Sequence, residues 1–419
     1  MAKIVLLSMA YAGDVHPFAP VASELANRGH DVTFVAPREF HDSFASEPFA
    51  CAHSGSDFGP SALNQHGPWL AKWGMRLGGA RLLELYFGEF TVPHLDAQFD
   101  AVHSVLEGAD VLFSHSTAAV VGGMAAEARN IPWISGDLFP MLIPTATRSP
   151  IAAITSLGPL NKVAWRIAQS TRPERLTYSK AFAGFRRKKG LDATVRSAIE
   201  MRISPHLNLG MASPAYIPPA PDWPANYHLT GFTHWENKGA ELPAGLQDFL
   251  DDGPPPLLIT LGTLAAAAFP ERFDAAVHAA QRQGIRTVSL CSLDSTVDHL
   301  RATYDPEQHG AWRFAPLAKV LPHVCGVVHS GSHGTNSMAL TAGLPSVISP
   351  AIVDQVWHAK RQTELGTGVH AKRASDLDEA IERILTDGRM RRVVEAFGAE
   401  LRLESGSTHT ADRIEAFLA

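Results

Sequence analysis

Three short constellations in this chain carry residue types that could serve as a general base, a phosphate seat and a holder of hydroxyl groups. The first is Asp14, within Gly13-Asp14-Val15-His16-Pro17 just after an apolar run. A carboxylate at the end of a strand and one turn ahead of a helix serves as a general base when it reaches a hydroxyl proton. The same place also suits a helix-start residue, and His16 and His115 are rival bases. The second is Val327-Val328-His329-Ser330-Gly331-Ser332-His333-Gly334-Thr335, a strand, a glycine-bearing turn and a helix start. Small residues let the backbone approach a ligand, and a helix N-terminus offers unpaired N–H groups and the positive end of a dipole, a seat for a phosphate or diphosphate. Ser332 and Thr335 add hydroxyl donors, although an ordinary capped turn has the same outline. The third is Asp354-Gln355, opening a helix after a strand that ends at Ser349-Pro350. A carboxylate beside an amide suits a polyhydroxyl ligand such as a sugar, while an aspartate alone is also a good helix cap.

Other chemistries find less support. His329 and His333 are four apart with His323 nearby, but they straddle a strand-to-helix turn without a completing carboxylate or cysteine, which disfavours zinc. No G-x-G-x-x-G follows the first strand, no G-x-x-x-x-G-K-[ST] occurs, and no G-x-S-x-G elbow is present. Nicotinamide, P-loop and serine-hydrolase chemistry are disfavoured accordingly. Asp376-Leu377-Asp378, preceded by Ser375, reads as helix-start chemistry rather than a metal pair.

The elements that must position these residues follow a strand–helix alternation. Lys3 to Ser8 is a continuous apolar run with β-branched residues, as in a strand buried on both faces. Tyr11 to His16 reads as a turn, with Pro17 at the first helical turn and Phe18, Val21, Ala22 and Leu25 on one face until Gly29. Strands at Asp31–Ala36, Val111–Ser114 and Trp133–Gly136 and a helix at Thr117–Arg129 extend the pattern. It restarts later with strands at Leu257–Leu261, Arg286–Cys291, Gly326–His329 and Ser346–Ser349. Helices at Pro270–Gln283, Thr335–Ala342 and Asp354–Leu365 alternate with them. The prolines at 218, 219, 221 and 224, and again at 254 to 256, mark a linker zone, since such stretches resist helix and central strand. The expected fold class is α/β, two doubly wound Rossmann-like domains facing across a cleft, with ligand at the carboxyl ends of the strands. The expected boundaries are 1–232, a linker 233–254, 255–402, and a C-terminal helix 403–419 that crosses back to the first domain. The segment His66–Leu106 reads as helical and rich in large apolar residues, suited to core packing and to a substrate wall alike.

Length and composition agree with this plan. The 419 residues suit two domains. Hydrophobic residues at 45% against 19% charged argue for buried cores over disorder, and a net charge of −6 lacks the basic surplus that nucleic acid would require. Cys51, Cys291 and Cys325 lie far apart, as in a reduced compartment. No apolar run reaches the ~18 residues of a membrane span. Ala10-Tyr11-Ala12 imitates a signal-cleavage site, but the run before it is short and broken by Ser8, so the expected location is cytoplasmic.

Taken together these residues resemble glycosyltransferase family 1, the nucleotide-sugar-dependent enzymes of GT-B fold. Gly13-Asp14-Val15-His16-Pro17, then Leu25 and Arg28-Gly29-His30-Asp31-Val32-Thr33-Phe34, look like the family's N-terminal signature. Most members carry histidine as base after that glycine; Asp14 matches the glycopeptide and sterol glucosyltransferase branch. Leu261-Gly262-Thr263 is similar to a phosphate-contacting loop, and Phe314-Ala315-Pro316 to the residues flanking the nucleobase. His329 to Thr335, Ala342-Gly343-Leu344-Pro345 and Asp354-Gln355 match the bacterial donor signature in order and spacing. The family's diphosphate-binding histidine falls on Ser330, with His329 and His333 on either side. Leu317 stands where glutamine is common, and Met338 where plant members carry a ribose-binding glutamate.

The resemblance implies an inverting transfer of a hexose from a UDP- or dTDP-sugar to a hydroxyl of a lipophilic small molecule, such as a macrolide, polyphenol, sterol or glycolipid. Asp14 would be the base. Thr263, His329, Ser330, Gly331, Ser332, His333, Gly334 and Thr335 would hold the diphosphate, and Asp354 and Gln355 the sugar. No metal or other cofactor is expected, and membrane contact only if the acceptor is a lipid. A carboxylate of ordinary pKa near ~4 is a weak base for an alcohol, so proximity and desolvation must supply much of its effect. Trp69, Trp73, Tyr86 and Phe139 are candidate acceptor-wall residues. A nucleotide-sugar 2-epimerase or hydrolase of the same fold, or a non-catalytic nucleotide-sugar-binding protein, is the alternative.

Overall fold

A computed structural model of the chain describes residues 1–9, 11–57, 86–140, 143–149, 156–169, 177–196, 198–237, 239–351 and 353–419. The first half winds a seven-stranded parallel sheet of β1 (Lys3–Leu7), β2 (Asp31–Ala36), β3 (Ala50–His53), β4 (Val111–His115), β5 (Trp133–Asp137), β6 (Leu207–Gly210) and β7 (Tyr227–Leu229). Its order is β3-β2-β1-β4-β5-β6-β7. The second half winds β8 (Leu257–Thr260), β9 (Thr287–Leu290), β10 (His309–Trp312), β11 (Gly326–His329), β12 (Ser346–Ile348) and β13 (Gly368–His370) in the order β10-β9-β8-β11-β12-β13. In both sheets the order turns back once, between β1 and β4 and between β8 and β11. A crevice opens there at the carboxyl ends of the strands, because the connecting helices leave toward opposite faces.

The near-continuous apolar strands are explained by cores on both faces. One side of the first sheet packs Ile4, Leu6, Phe34 and Phe113 against Phe18, Val21, Ala22 and Leu25, and the other packs Val5, Leu7 and Leu112 against Val120, Val121, Met124 and Phe182. The second sheet packs Leu257, Ile259 and Val328 against Phe273, Val277 and Ile381, with Leu258, Val288 and Val327 on the opposite face. The turn read over Tyr11–His16 is a short helix, Ala12–Val15, continued by a 3-10 turn into the helix Ala19–Asn27.

The proline-rich stretch around residues 218–224 lies inside the first domain, because β7 follows it and still pairs with β6. The true crossing is the extended chain after Leu229. Of the expected linker 233–254, the helix Leu246–Asp251 belongs to the second core, where Leu246 and Leu250 are buried against Leu258 and Val288. The chain crosses a second time before its last helix, Gly406–Leu418, which packs on Ala19–Asn27. Arg28 reaches Asp412 at 2.7 Å and Glu415 at 2.6 Å, and His30 contacts Glu415 at 2.9 Å. Ala411 and Ile414 complete the first domain's core.

Between the halves runs an aromatic seam in which Phe139, Tyr216 and Phe232 meet Trp357 and Leu340. Phe139 and Trp357 rings lie 4.4 Å apart and Tyr216 Oη lies 2.9 Å from His358 Nδ1. Burial of each of these large side chains is worth roughly 1.5–3 kcal/mol. The two crossings touch at Gly406: a Cβ added there would lie 2.2 Å from the Phe232 carbonyl oxygen. Gly406→Ala is therefore expected to lower stability by about 1–3 kcal/mol, through displacement of one crossing from the other. Equilibrium urea unfolding of the variant beside the parent chain measures it.

Candidate active site

Asp14 sits in the helical turn that follows β1, at the reversal point of the first sheet. Ser8 Oγ donates to the Asp14 carbonyl at 2.8 Å, tying the turn back to the strand end. The Asp14 side chain is 29% exposed. Burial against the surrounding protein pushes its pKa up to about 7. A hydrogen bond from the Tyr11 backbone opposes the rise, the negative charge of Asp354 adds to it, and the Arg202 guanidinium opposes it. Asp14 is thus a stronger base than an ordinary carboxylate, and it feels a residue of the second domain across the cleft.

The rival histidines have other partners. The His16 ring lies 4.6 Å from Trp235 and 5.6 Å from Phe40, and burial lowers its pKa to about 4. His115 ends β4 beside β1, with Nε2 3.7 Å from Asp14 Oδ1. Burial, with the charges of Arg202 and His333, lowers its pKa to about 3, so the contact is not an ion pair at neutral pH. Arg202 is itself buried, its Nε donating to the Ser116 carbonyl at 3.1 Å.

The second sheet's reversal point carries the other half of the site. Gly262, at φ +68°, starts the helix Gly262–Ala268 after β8; Thr263 lies in its first turn, and the Thr263 side chain falls outside the described residues. After β11 the chain turns at Gly331, φ +89°, where a Cβ would stand 2.8 Å from Ile348 Cγ2 and 3.1 Å from the Gln355 carbonyl oxygen. Only glycine fits this turn, which delivers Ser332 to the N-cap position of helix His333–Thr341. Ser332 Oγ and Thr335 Oγ1 lie 3.2 Å apart, and nothing stands within 4 Å of a Cβ placed on Gly334. Ser332, Gly334 and Thr335 are partly exposed, so this face of the first turn is not covered by the protein.

The three histidine-motif positions separate. His329 is fully buried, its Nδ1 accepting the Gly331 N–H at 2.9 Å, so it fastens the turn from behind. Ser330 is buried next to Gly262. His333 turns to the seam, 5.4 Å from the Phe232 ring and 6.0 Å from His358. Asp354 lies in the first turn of helix Val353–Leu365. Burial raises its pKa, and hydrogen bonds from its own and the Gln355 backbone oppose that rise. Gln355 is buried and its Oε1 accepts the Ala351 N–H at 2.8 Å, bracing the loop before the helix. Phe314 is 67% exposed after β10, an open aromatic face, whereas Ala315 is buried in the second core.

Of the acceptor-wall candidates, Phe139 is buried in the seam against Trp357. Tyr86 opens a π-helical turn and its side chain, like Trp69 and Trp73, lies outside the described residues. Sequence reasoning missed Arg202, His234 and His358. His358 stands one turn after Asp354, a spacing that would have flagged it. His234 Nε2 contacts Ser337 Oγ at 3.0 Å from the crossing segment, which no local pattern announces.

No group of three or more His, Cys, Asp or Glu that would hold a metal occurs among the described residues. No described helix is long and apolar enough to cross a membrane. The raised pKa of Asp14 has a consequence for stability. A carboxylate whose folded pKa exceeds its unfolded value destabilises the fold where it is ionised; the penalty begins above about pH 4 and is complete above about pH 7. Asp14→Asn should stabilise the protein by on the order of 1–3 kcal/mol at pH 8, with the gain vanishing near pH 4. Denaturant titrations at the two pH values test this.

Comparison with known proteins agrees with this geometry. Residues 304–417 match the family model described as erythromycin biosynthesis protein CIII-like, C-terminal domain. O-mycaminosyltylonolide 6-deoxyallosyltransferase from Streptomyces fradiae is 27% identical over 423 residues, spanning 96% of this chain and 95% of the relative. The calicheamicin glycosyltransferase CalG4 superposes with a TM-score of 0.70 at 20% identity, covering 100% of this chain and 98% of the other. SsfS6 from Streptomyces sp. SF2575, solved with thymidine diphosphate, gives 0.63 at 18% identity, covering 99% and 100%. Two parallel-sheet domains, and solved glycosyltransferases that superpose over nearly the whole chain, establish the architecture: the chain has the GT-B fold, and the relatives it resembles in sequence are glycosyltransferases.

Proposed function

We propose that the protein transfers a hexose from a thymidine- or uridine-diphosphate sugar to a hydroxyl of a lipophilic small molecule, with inversion and without a metal. The observation that carries this reading is the convergence of the two reversal points, through which the ionisation of Asp14 responds to Asp354 and that of His115 to His333. In the reaction the acceptor oxygen bonds to the anomeric carbon as the bond from that carbon to the diphosphate breaks, and the hydroxyl proton passes to Asp14. A base with a pKa near neutrality matches this task better than an ordinary carboxylate.

The departing diphosphate gathers negative charge at the N-terminus of helix His333–Thr341, beside the partly exposed Ser332, Gly334 and Thr335. This donor set suits an oxyanion without an added cation. Phe314 offers a stacking face for the nucleobase, and Asp354 an acceptor for sugar hydroxyls. The relative named O-mycaminosyltylonolide 6-deoxyallosyltransferase supports a 6-deoxyhexose as the group transferred.

Incubation of dTDP- and UDP-sugars with a panel of lipophilic alcohols and phenols, read by mass spectrometry, tests the reading. A glycosylated acceptor is expected; free or epimerised sugar as the sole product would refute it. Asp14→Ala should cut transfer by about 10²–10⁴ with donor affinity nearly intact, and the parent rate should fall below about pH 7 as Asp14 protonates. Asp354→Ala should mainly relax discrimination between donor sugars, seen as a narrowed ratio of kcat/KM for two sugars on the same nucleotide.

A further inference from the structure

We infer that His115 is a positioning residue for Asp14, its neutral Nε2–H holding one carboxylate oxygen in the cleft. The inference rests on Asp14 being the base. It begins with the tautomer. Thr117 places its backbone N 3.4 Å and its Oγ1 2.6 Å from His115 Nδ1. A backbone N–H only donates, so Nδ1 is the bare nitrogen and the ring proton sits on Nε2. Nε2 is the atom 3.7 Å from Asp14 Oδ1.

The ring has little freedom to turn away. Its side chain is 5% exposed, Phe18 meets it edge-on at 5.5 Å, and it ends a strand hydrogen-bonded to the one that leads into the turn of Asp14. The charged and titratable groups facing it are Asp14, Arg202 from the helix Ala198–Arg202, and His333 from the second domain; those facing Asp14 are His115, Arg202 and Asp354. Burial, Arg202 and His333 all disfavour a cationic ring. His115 therefore remains an N–H donor over the pH range in which Asp14 ionises, and it cannot take the proton that Asp14 receives. The transferred proton stays on Asp14 until product leaves.

A neutral donor on a carboxylate favours the ionised form, which offsets part of the burial that drives Asp14 toward protonation. It also fixes which oxygen is committed to the protein, leaving the other for the acceptor hydroxyl. The 3.7 Å separation is longer than a hydrogen bond, and such contacts close when substrate fills the site.

His115→Phe keeps ring volume against Phe18 and removes the N–H; His115→Gln restores an N–H of similar reach. The Phe variant should lose about 10–100-fold in kcat with donor KM within about threefold, and the acid limb of its kcat–pH profile should move up by about half to one pH unit. The Gln variant should recover most of both effects. A Phe variant with unchanged kcat and limb overturns the inference. So does a ¹⁵N spectrum of the parent protein showing the His115 proton on Nδ1, a measurement independent of how any variant folds. Asp14→Asn separates the two readings. Retained transfer in that variant removes the base and this inference together, whereas lost transfer beside an unaffected His115→Phe removes the inference alone.

Discussion

Each sheet reverses its winding direction once, and the helices flanking a reversal must diverge to opposite faces. That divergence leaves the strand ends uncovered at one place per domain. In the first domain the uncovered place holds Asp14 and His115; in the second it holds Gly262 and the turn from Ser330 to Ser332. The proposed chemistry depends on those two gaps being held mouth to mouth. The aromatic seam does the holding. Phe139, two residues past β5, meets Trp357 one turn past Asp354, so the contact that joins the domains also bears on where Asp354 stands relative to Asp14.

The seam is polar as well as apolar, and its histidines are kept neutral by burial. His329 and His333 have their pKa lowered to about 3 and His234 to about 4, and His358 lies well below its ordinary value. A depressed histidine withholds protons from the folded state between its folded and unfolded pKa, so stability drains away as pH falls below about 6.5. Asp14 responds in the opposite sense. These histidines and Asp14 thus favour different ends of the pH scale.

Much of the fold was legible because local pattern and global structure agree. The apolar run Lys3–Leu7, the strand Asp31–Ala36 and the strand Gly326–His329 declare themselves by unbroken β-branched sequence. The three-residue strands Tyr227–Leu229 and Gly368–His370 do not, since each is too short for a periodic signal and is placed by the edge it completes. The prolines near 218–224 suggested a domain break and instead mark a loop before the last strand of the same sheet. Within the site, Gly331 was readable as a close-approach glycine, while the separation of His329, Ser330 and His333 was not. Three residues on a tight turn point in three directions, and only the turn's dihedral angles decide which. The pairing of Asp14 with His115 depends on β1 lying beside β4, a neighbour relation that sequence distance conceals.

The chain's return to its starting domain bears on how hybrids of this enzyme would be assembled. The last helix fills the first domain's core with Ala411 and Ile414 and grips Arg28 through Asp412 and Glu415. Splicing two such proteins at the first crossing alone would dress one parent's N-terminal domain in the other parent's tail. A graft that respects the native packing needs two junctions, with the helix Gly406–Leu418 inherited from whichever parent supplies the N-terminus.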